Sequence, residues 1–455
     1  MNVFGKLKVV GLVILLSAAV AVANAQTFTT LFEFDSTHGA NPGSEMQLVQ
    51  GLDGNLWGTT ESGGVYVGGT IFRISIAGAL TTEFDFTSSA YGPTAGLTLA
   101  PSGLLYGTTN YGGPDGVGAF FSFSPKTRNL VTLSRGFGGI YGSTPLTGVI
   151  RAFNGTFYGI TSNGGASIVF LTSANGYIGV VCDLGFEAGL STLAQSGNGN
   201  FYGTSNGGGP NGTVFEVTPG GTLTILHSFV QTDGATPFGG LAEGANGDFY
   251  GTTNLGGADD LGTIFRITPS GALTMLHNFR GSDGNYPGGY FPAALLVEGT
   301  DGNFYGTTTA GGANGFGTIF KITPVGALST LWSFDSTATN NTSGGLMQAT
   351  DGNFYGTIFA GGANGYGSVY RLSVGLAPFV RTLPGLGNVG STVEILGTDL
   401  TGATSVTFNG TPATFTVSTS GTWISATVPA GATSGSVQVT TPSGTLQSNV
   451  AFDVL

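Results

Sequence analysis

The chain alternates short apolar runs with polar, glycine-rich turns along most of its length. Around Gly302 the four runs read AALLVEG, NFYGTTT, GTIFKITP and ALSTLWSF, and β-branched and aromatic residues fill them. Such residues suit pleated strands, whereas the helical spacing of three or four residues is nowhere sustained. The pattern predicts an all-β fold made of four-stranded antiparallel units.

One turn recurs along the chain every 44 to 55 residues. Its glycines are Gly54, Gly103, Gly155, Gly199, Gly247, Gly302 and Gly352. Asp or Asn precedes the glycine in six units and Ser102 in the other, and Asp-Gly and Asn-Gly are strong signals for two-residue hairpin turns. Four strands in each of seven such units predict a seven-bladed β-propeller.

The two ends of this repeat region complement each other. The segment TFTTLFEFDS at 27–36 is similar to ALSTLWSFDS at 327–336, which is the fourth strand of a unit. The last unit stops after its third strand, GSVYRLSV at 367–374. We therefore expect the N-terminal strand to complete the seventh blade and close the propeller, which then spans residues 26–374.

Two units carry a family resemblance. The segments GTIFRITPSGALTMLHNF at 262–279 and GGANGFGTIFKITPVGAL at 311–328 resemble the GloVer repeat, a tandem repeat of exported bacterial proteins. The resemblance covers roughly residues 27–374. It implies export and a repeat architecture, and it brings no particular chemistry with it.

The repeat ends at GLAP, residues 375–378, which we interpret as a linker. Residues 379–455 are rich in Thr, Ser and Val and resemble an IPT/TIG domain, which implies an immunoglobulin-like β-sandwich. The positions that carry this resemblance are Gly390, Ile395, Gly397, Phe408, Asn409, Gly410, Val428, Pro429 and Gly435. Alternating strands separated by frequent turns favour a sandwich independently.

The N-terminus has the pattern of a signal peptide. Lys6 and Lys8 precede an apolar run at 9–22, and Ala23-Asn24-Ala25 matches the small-residue cleavage pattern. We expect cleavage after Ala25 and a secreted protein, located outside the cell or at the cell surface. No later run is long and apolar enough to predict a membrane span.

Charge and cysteine content restrict the partners. The formal net charge of −12 becomes −14 when Lys6 and Lys8 leave with the signal peptide. A field of this sign argues against binding to nucleic acid or to anionic lipid. Cys182 is the single cysteine, so the chain forms no internal disulfide, and we expect a buried thiol.

Catalytic patterns are scarce in the sequence. His227 and His277 occupy the same place in two successive fourth strands, where other units have Phe32, Phe84, Cys182 and Trp332. Repetition at equivalent positions indicates packing rather than metal binding or catalysis. Because no Ser/His/Asp set, metal cluster or nucleotide loop is visible, we expect neither a cofactor nor a bound metal.

A polar position recurs four residues before each turn glycine, near the end of the innermost strand. Its occupants are Gln50, Leu99, Arg151, Gln195, Glu243, Glu298 and Gln348. These side chains are predicted to ring one mouth of the central channel through hydrogen bonds. The alternative is that Glu243 and Glu298 act as the acid and the nucleophile of a glycosidase, which needs two suitably spaced carboxylates.

A second set of residues predicts a binding face. In an antiparallel four-stranded blade, the loop between strands two and three and the connection to the next blade emerge on one side. Candidate ligand-binding residues in these loops are Tyr91, Tyr141, Asp233, Asp259, Asp260, Asp283, Tyr286 and Tyr290. Aromatic faces beside carboxylates suit sugar rings or a protein partner.

Three functions follow from these observations. The first is a non-enzymatic protein that binds an extracellular polysaccharide or protein through this face. The second is a structural or assembly component of the cell surface or extracellular matrix, which would self-associate. The third is a propeller glycosidase or lyase with dispersed carboxylates. Fold alone does not distinguish between them.

Overall fold

The computed structural model describes residues 26–43, 47–133, 137–145, 147–161, 167–186, 191–284, 295–336 and 344–455. Across these residues the secondary structure consists of β-strands and short 3-10 segments, of which Gly139–Tyr141 is one. The all-β prediction is thus confirmed. The described residues contain no helix long and apolar enough to cross a membrane. The predicted signal peptide, residues 1–25, lies outside the described residues.

The repeat region forms seven antiparallel sheets, numbered here in the order of their innermost strands. The innermost strands are Val49–Gln50, Thr98–Leu99, Ile150–Arg151, Ala194–Gln195, Ala242–Glu243, Val297–Glu298 and Met347–Gln348. The second strands are Leu56–Ser62, Leu105–Thr109, Phe157–Thr161, Phe201–Ser205, Phe249–Thr253, Phe304–Thr308 and Phe354–Ile358. The third strands are Thr70–Ile74, Ala119–Ser124, Ile168–Thr172, Thr213–Val217, Thr263–Ile267, Thr318–Ile322 and Ser368–Ser373. The outer strands of the first six sheets are Leu80–Asp85, Asn129–Thr132, Ile178–Asp183, Leu223–Ser228, Leu273–Asn278 and Leu328–Ser333.

The N-terminal strand is the outer strand of sheet 7. Thr27–Glu33 pairs antiparallel with Ser368–Ser373, and Thr27 lies opposite Ser373. This is the pairing that the similarity between residues 27–36 and 327–336 predicts. Three further short strands lie in the loops: Ala40–Pro42 pairs with the second strand of sheet 1, and Ala90–Tyr91 pairs with Tyr111–Gly112.

The Phe-Tyr-Gly motif of the second strand is explained by packing within each sheet. In sheet 5, Gly251 lies directly opposite Phe265 on the third strand. A Cβ atom on Gly251 would come within 2.6 Å of the Phe265 ring and 2.9 Å of Leu241. The missing side chain therefore makes room for the aromatic ring of the facing strand. The same pairing of glycine with an aromatic residue occurs in all seven sheets.

The tyrosine of the same motif links neighbouring sheets. Tyr250 packs on Phe304 of the next sheet with ring centroids 3.9 Å apart, and Tyr305 packs on Phe354 at 4.1 Å. Equivalent contacts join sheets 2 to 3, 3 to 4 and 4 to 5. Each unit thus supplies a ring that the following unit buries, which is why the motif repeats.

The Asp-Gly-Asn turns are stabilised by their own side chains. The Asp301 carboxylate accepts hydrogen bonds from the side-chain amide Nδ2 of Asn303 at 2.7 Å and from the Tyr305 hydroxyl at 2.9 Å. Gly302 has a φ of +71°, a conformation that favours glycine. Burial and the Asp301 carboxylate raise the pKa of the Tyr305 hydroxyl. The aspartate therefore anchors the turn to the buried strand behind it.

Residues of all seven sheets line one cavity of about 270 Å³, named here the axial cavity. Every sheet contributes residues from its innermost strand or from the positions just before it. The lining is mostly apolar, and its aliphatic residues are Leu48, Val49, Leu97, Val149, Ile150, Leu193, Leu241, Leu295, Val297 and Met347. The polar residues of the lining are Gln47, Thr98, Thr192, Gln348 and Arg381.

Residues beyond the repeats form two more four-stranded sheets. The first contains Val380–Leu383, Thr392–Gly397, Trp423–Thr427 and Phe415–Val417, and the second contains Thr411–Pro412, Ser405–Phe408, Val437–Thr441 and Gly444–Gln447. Leu386–Gly387 and Asp453–Val454 pair in parallel. One apolar core that includes Ile395, Phe408, Ile424 and Val439 lies between the two sheets.

The C-terminal sheets contact the repeat region at its hairpin turns. The Thr422 hydroxyl donates to the Leu52 carbonyl at 2.6 Å, and the Phe379 amide donates to the Thr350 carbonyl at 2.9 Å. Leu396 is buried in the same apolar cluster as Trp57. The C-terminal region therefore covers the turns of sheets 7 and 1.

Candidate functional site

The repeat region has two distinct faces. The tip face carries the hairpin turns with the recurrent glycines, and the C-terminal sheets lie against part of it. The loop face carries the loops between second and third strands and the connections between sheets. The recurrent polar position lies on the tip side, and the predicted ligand-binding residues that the structure describes lie on the loop side.

The recurrent polar position joins neighbouring sheets. Gln195 accepts a hydrogen bond from the Phe153 amide at 2.8 Å, and Gln348 accepts one from the Thr300 amide at 3.0 Å. In both pairs the donor belongs to the preceding sheet. It lies two residues after that sheet's own residue at the recurrent polar position. Gln50 of sheet 1 contacts Thr350 of sheet 7 in the same way, at 3.0 Å. The series therefore continues across the two ends of the repeat region.

Glu243 and Glu298 take part in the same series. Glu243 accepts a hydrogen bond from the Ser196 hydroxyl at 2.6 Å, and Glu298 accepts one from the Ala245 amide at 3.1 Å. Burial raises the pKa of both carboxyls, although these hydrogen bonds act in the opposite direction. Both glutamates thus bind the preceding sheet, as the glutamines do.

Leu99 and Arg151 depart from this arrangement. Leu99 is buried in the apolar cluster around Trp57, and burial lowers the pKa of the Arg151 guanidinium, which lies near Tyr106. Neither side chain offers an acceptor to the preceding sheet. The contacts between sheets 1 and 2 and between sheets 2 and 3 are therefore built differently from the other five.

The two glutamates predict a pH-dependent stability. Because burial raises their folded-state pKa, their contribution is fully present below the unfolded pKa and is lost as the pH rises through the folded pKa. In three other sheets a glutamine also donates its amide to the carbonyl of its own turn glycine. The double variant Glu243→Gln/Glu298→Gln should therefore melt about 1–3 °C above the wild type at pH 8 and level with it at pH 4.

Calorimetry over this pH range measures the difference directly. The matched control is Gln195→Glu, which places a carboxyl at the same position of sheet 4 and should lower the melting temperature at pH 8 only. A double variant that is destabilised equally at both pH values would show that the glutamates stabilise the fold independently of their ionisation.

Three histidines form pairs with nearby aspartates. The His227 Nε2 atom lies 3.1 Å from Asp233, and the His277 Nε2 atom lies 3.0 Å from Asp283. The other oxygen of each aspartate accepts a backbone hydrogen bond at 2.8 Å, from Val230 in one loop and from the equivalent residue in the next. His38 pairs with an aspartate three residues before it. These pairs fix the start of the connection to the next sheet.

Asp233 and Asp283 consequently have both carboxylate oxygens engaged, one by a histidine of the preceding outer strand and one by a backbone amide of their own loop. Asp260 is exposed and accepts hydrogen bonds from the Gly256 amide at 2.8 Å and from the Gln231 side chain at 2.6 Å. Its neighbour Asp259 is exposed at the tip of the same loop. Tyr286 and Tyr290 lie outside the described residues.

Tyr91 belongs to an exposed aromatic pair. Its ring stacks on Tyr111 with centroids 5.1 Å apart and an interplanar angle of 22°. Backbone pairing of Ala90–Tyr91 with Tyr111–Gly112 sets this arrangement. The side chains remain 39% and 47% exposed, so both rings are available to a ligand. Tyr141 is half-buried and packs against the apolar cluster that contains Phe170.

Further exposed apolar residues lie in loops of the same face, and sequence reasoning missed them, as it missed Tyr111. These residues are Val65, Tyr66, Val67, Ile140 and Tyr366, and Tyr66 is 63% exposed. The Gly92 amide donates to the Gly68 carbonyl, which places the loop of Tyr66 beside Tyr91. The Asn41 amide donates to the Tyr366 carbonyl. The motif GGVYVGG, an apolar triplet between glycine pairs in a predicted loop, was the available signal.

We name this set, Val65, Tyr66, Val67, Tyr91, Tyr111, Ile140 and Tyr366, the aromatic arc. Its members lie in the loops of sheets 7, 1 and 2, in the connection from sheet 1 to sheet 2 and in the connection from sheet 2 to sheet 3. The equivalent loops of sheets 4 to 6 read NGGGPNG, GGADDLG and GGANGFG and present mostly small and polar residues. Within the described residues no group of three or more His, Cys, Asp or Glu side chains could hold a metal ion.

Comparison with known proteins places the chain in a sequence family. The model of the Gloeobacter/Verrucomicrobia repeat matches residues 18–172 and 187–422. The match extends further at both ends than the resemblance found in the sequence, and into the C-terminal sheets. No curated protein matches the sequence significantly.

Solved structures resemble the fold at low sequence identity. Virginiamycin B lyase from Staphylococcus aureus superposes with a TM-score of 0.54 at 15% identity, covering 76% of this chain and 98% of the lyase. A streptogramin B lyase gives 0.53 at 17% identity, covering 76% and 97%. A fungal alcohol oxidase of the AA5 family, in complex with copper, gives 0.54 at 14% identity, covering 95% and 100%. The fold of this chain is propeller-like.

Proposed function

The chain belongs to the Gloeobacter/Verrucomicrobia repeat family, and we propose that it is an exported, non-enzymatic protein that binds an extracellular glycan through its loop face. A protein partner is the alternative ligand. Export rests on the signal-peptide pattern of residues 1–25. The choice of face rests on the C-terminal sheets, which occupy part of the opposite side.

The architecture proposed for this function is a seven-bladed propeller closed by its N-terminal strand. The pairing of Thr27–Glu33 with Ser368–Ser373 and the axial cavity shared by seven sheets support it. We also propose that residues 379–455 form an immunoglobulin-like IPT/TIG domain after a linker at 375–378. Two four-stranded sheets around one core support this assignment.

The stacked pair of Tyr91 and Tyr111 carries the proposal. Exposed aromatic rings are costly in water, and monomeric proteins use such patches mainly for binding. A flat pair of rings suits the C–H face of a sugar, while the phenol hydroxyls exchange hydrogen bonds with sugar hydroxyls. Tyr66, in the neighbouring loop, extends this surface to a second aromatic side chain.

The double variant Tyr91→Ala/Tyr111→Ala should bind a glycan ligand about 10- to 150-fold more weakly than the wild type. Because both side chains are exposed, its melting temperature should change little. A glycan array with the mature protein identifies the ligand, and calorimetric titration then measures the affinity. The matched control is Tyr177→Ala, a 71%-exposed tyrosine at the turn before the outer strand of sheet 3.

The outcomes distinguish the alternatives. Undiminished binding by the double variant would place the site away from the aromatic arc. Shortened chains released from a bound glycan would favour a glycosidase or lyase, an activity class that some fold neighbours share. Binding to no glycan, combined with concentration-dependent oligomers in light scattering, would favour the structural role.

A further inference from the structure

The axial cavity contains one charged group in an apolar surrounding. Arg381, on the first strand after the repeats, lines the cavity together with aliphatic residues from the seven sheets. Its guanidinium donates a hydrogen bond from Nη2 to the Gln348 carbonyl at 3.1 Å. No carboxylate of the described residues lies within ion-pair distance of it.

Arg381 is half-buried, and a cation in an apolar surrounding without a counter-ion is costly, because the protein interior solvates charge poorly. Burial accordingly lowers the pKa of Arg381. A guanidinium has five N–H donors in a planar fork, and the Gln348 carbonyl accepts from only one nitrogen. The remaining donors suit the two oxygens of a carboxylate, which guanidinium groups bind in a bidentate manner.

The shape of the cavity restricts the rest of the ligand. Arg381 lies at the tip end, since its partner Gln348 also contacts the turn glycine Gly352. Towards the loop face the lining includes the aliphatic residues Leu97, Leu193, Leu241 and Leu295. Glycines and the polar residues Gln47 and Thr192 complete this part of the lining. A volume of about 270 Å³ lies just below that of pockets for drug-sized ligands, so an oligosaccharide does not fit.

We infer that the axial cavity binds a small monocarboxylate with a short alkyl chain, its head group on Arg381 and its tail towards the loop face. This site is separate from the aromatic arc. A failure of glycan binding therefore leaves this inference intact, and the reverse also holds.

Calorimetric titration of the mature protein with butanoate, hexanoate and octanoate tests the inference. Each methylene that is buried against the aliphatic lining should lower the dissociation constant by about fourfold. We expect this trend over the two methylenes that separate butanoate from hexanoate. Hexylamine, which has the same tail and the opposite charge, should not bind measurably. Absence of binding by all three carboxylates, or equal binding of hexylamine, would overturn the inference.

Two variants test the two ends of the site. Arg381→Gln should weaken hexanoate binding at least about tenfold, because the charged hydrogen bonds are lost. The matched control, Arg280→Gln, removes an arginine from a loop-face connection and should bind as the wild type does. Undiminished binding by Arg381→Gln would overturn the inference.

Leu295→Trp tests the tail end without touching Arg381. Leu295 is half-buried and lies 3.1 Å from the position that a Cβ atom on Gly240 would take. A larger side chain here should fill the cavity and abolish hexanoate binding while leaving the guanidinium in place. This variant decides the question even if Arg381→Gln does not fold, because hexanoate binding that survives the filling would place the ligand elsewhere.

Discussion

Removal of residues 26–36 should strongly destabilise the mature protein, because the outer strand of sheet 7 is lost. Phe34 is fully buried between sheets 7 and 1 and contacts Phe72 with ring centroids 5.3 Å apart. Loss of a buried phenylalanine alone costs about 3–5 kcal/mol, which is a large part of the stability of an ordinary domain. Phe28, which stacks on Trp332 at 4.7 Å, adds to the loss.

Deletion also leaves the third strand of sheet 7 as an open edge. Thr27–Glu33 makes its backbone pairing with Ser368–Ser373, and an unpaired strand edge recruits other chains. We therefore expect the truncated protein to unfold at a much lower temperature and to aggregate. A synthetic peptide of residues 26–36 should restore the transition by adding the missing strand in trans.

Thermal unfolding of the truncated protein, with and without the peptide, checks this expectation. A scrambled peptide of the same composition is the control. Truncation that leaves the melting temperature unchanged would show that the strand does not stabilise the fold, and rescue by the scrambled peptide would show that the effect is not strand pairing.

The fold was predictable because its signals are local and repeated. A turn glycine, a second strand with an aromatic residue before a glycine and an apolar third strand recur in each unit, and this part of the second strand reads Phe-Tyr-Gly in five of the seven. Each of these signals depends on contacts within that unit or with its neighbour. The partner of the N-terminal strand was predictable for the same reason. Residues 27–36 are similar to the fourth strand at 327–336.

The side-chain arrangement was less predictable because it depends on contacts between units. The position of Glu243 and Glu298 is visible in the sequence, but its donors lie in the preceding sheet, roughly 50 residues earlier. Asp233 and Asp283 read as free acceptors in loops, yet histidines six residues earlier on the outer strand bind them. Patterns of residue type predict positions but not partners.

The aromatic arc was missed because its members come from different kinds of loop. Tyr111 lies two residues after the second strand of sheet 2, whereas Tyr91 belongs to the connection between sheets 1 and 2. Only the short pairing of these two segments brings the rings together. The position of Arg381 in the axial cavity was not predictable either, because it depends on how the C-terminal sheets contact the repeat region.

The variant Gly251→Ala should destabilise the protein by about 1–3 kcal/mol, although it adds a single methyl group. The new Cβ atom would come within 2.6 Å of the Phe265 ring, and Leu241 prevents it from moving to the other side. The backbone of Gly251 needs no left-handed conformation, so the effect measures the overlap with the ring. The control is Gly281→Ala, where an added Cβ meets no atom within 4 Å, and it should be neutral.

A smaller side chain at Phe265 should then rescue the defect. Phe265→Leu alone should cost about 1–2 kcal/mol, since it removes buried ring surface. In the double variant Gly251→Ala/Phe265→Leu the methyl group occupies the space that the ring has left, so the loss should fall short of the sum by about 1 kcal/mol or more. Calorimetry of the wild type, the two single variants and the double variant gives the four melting temperatures of this double-mutant cycle. Additive losses would mean that the glycine of the Phe-Tyr-Gly motif is required for a reason other than the ring it faces.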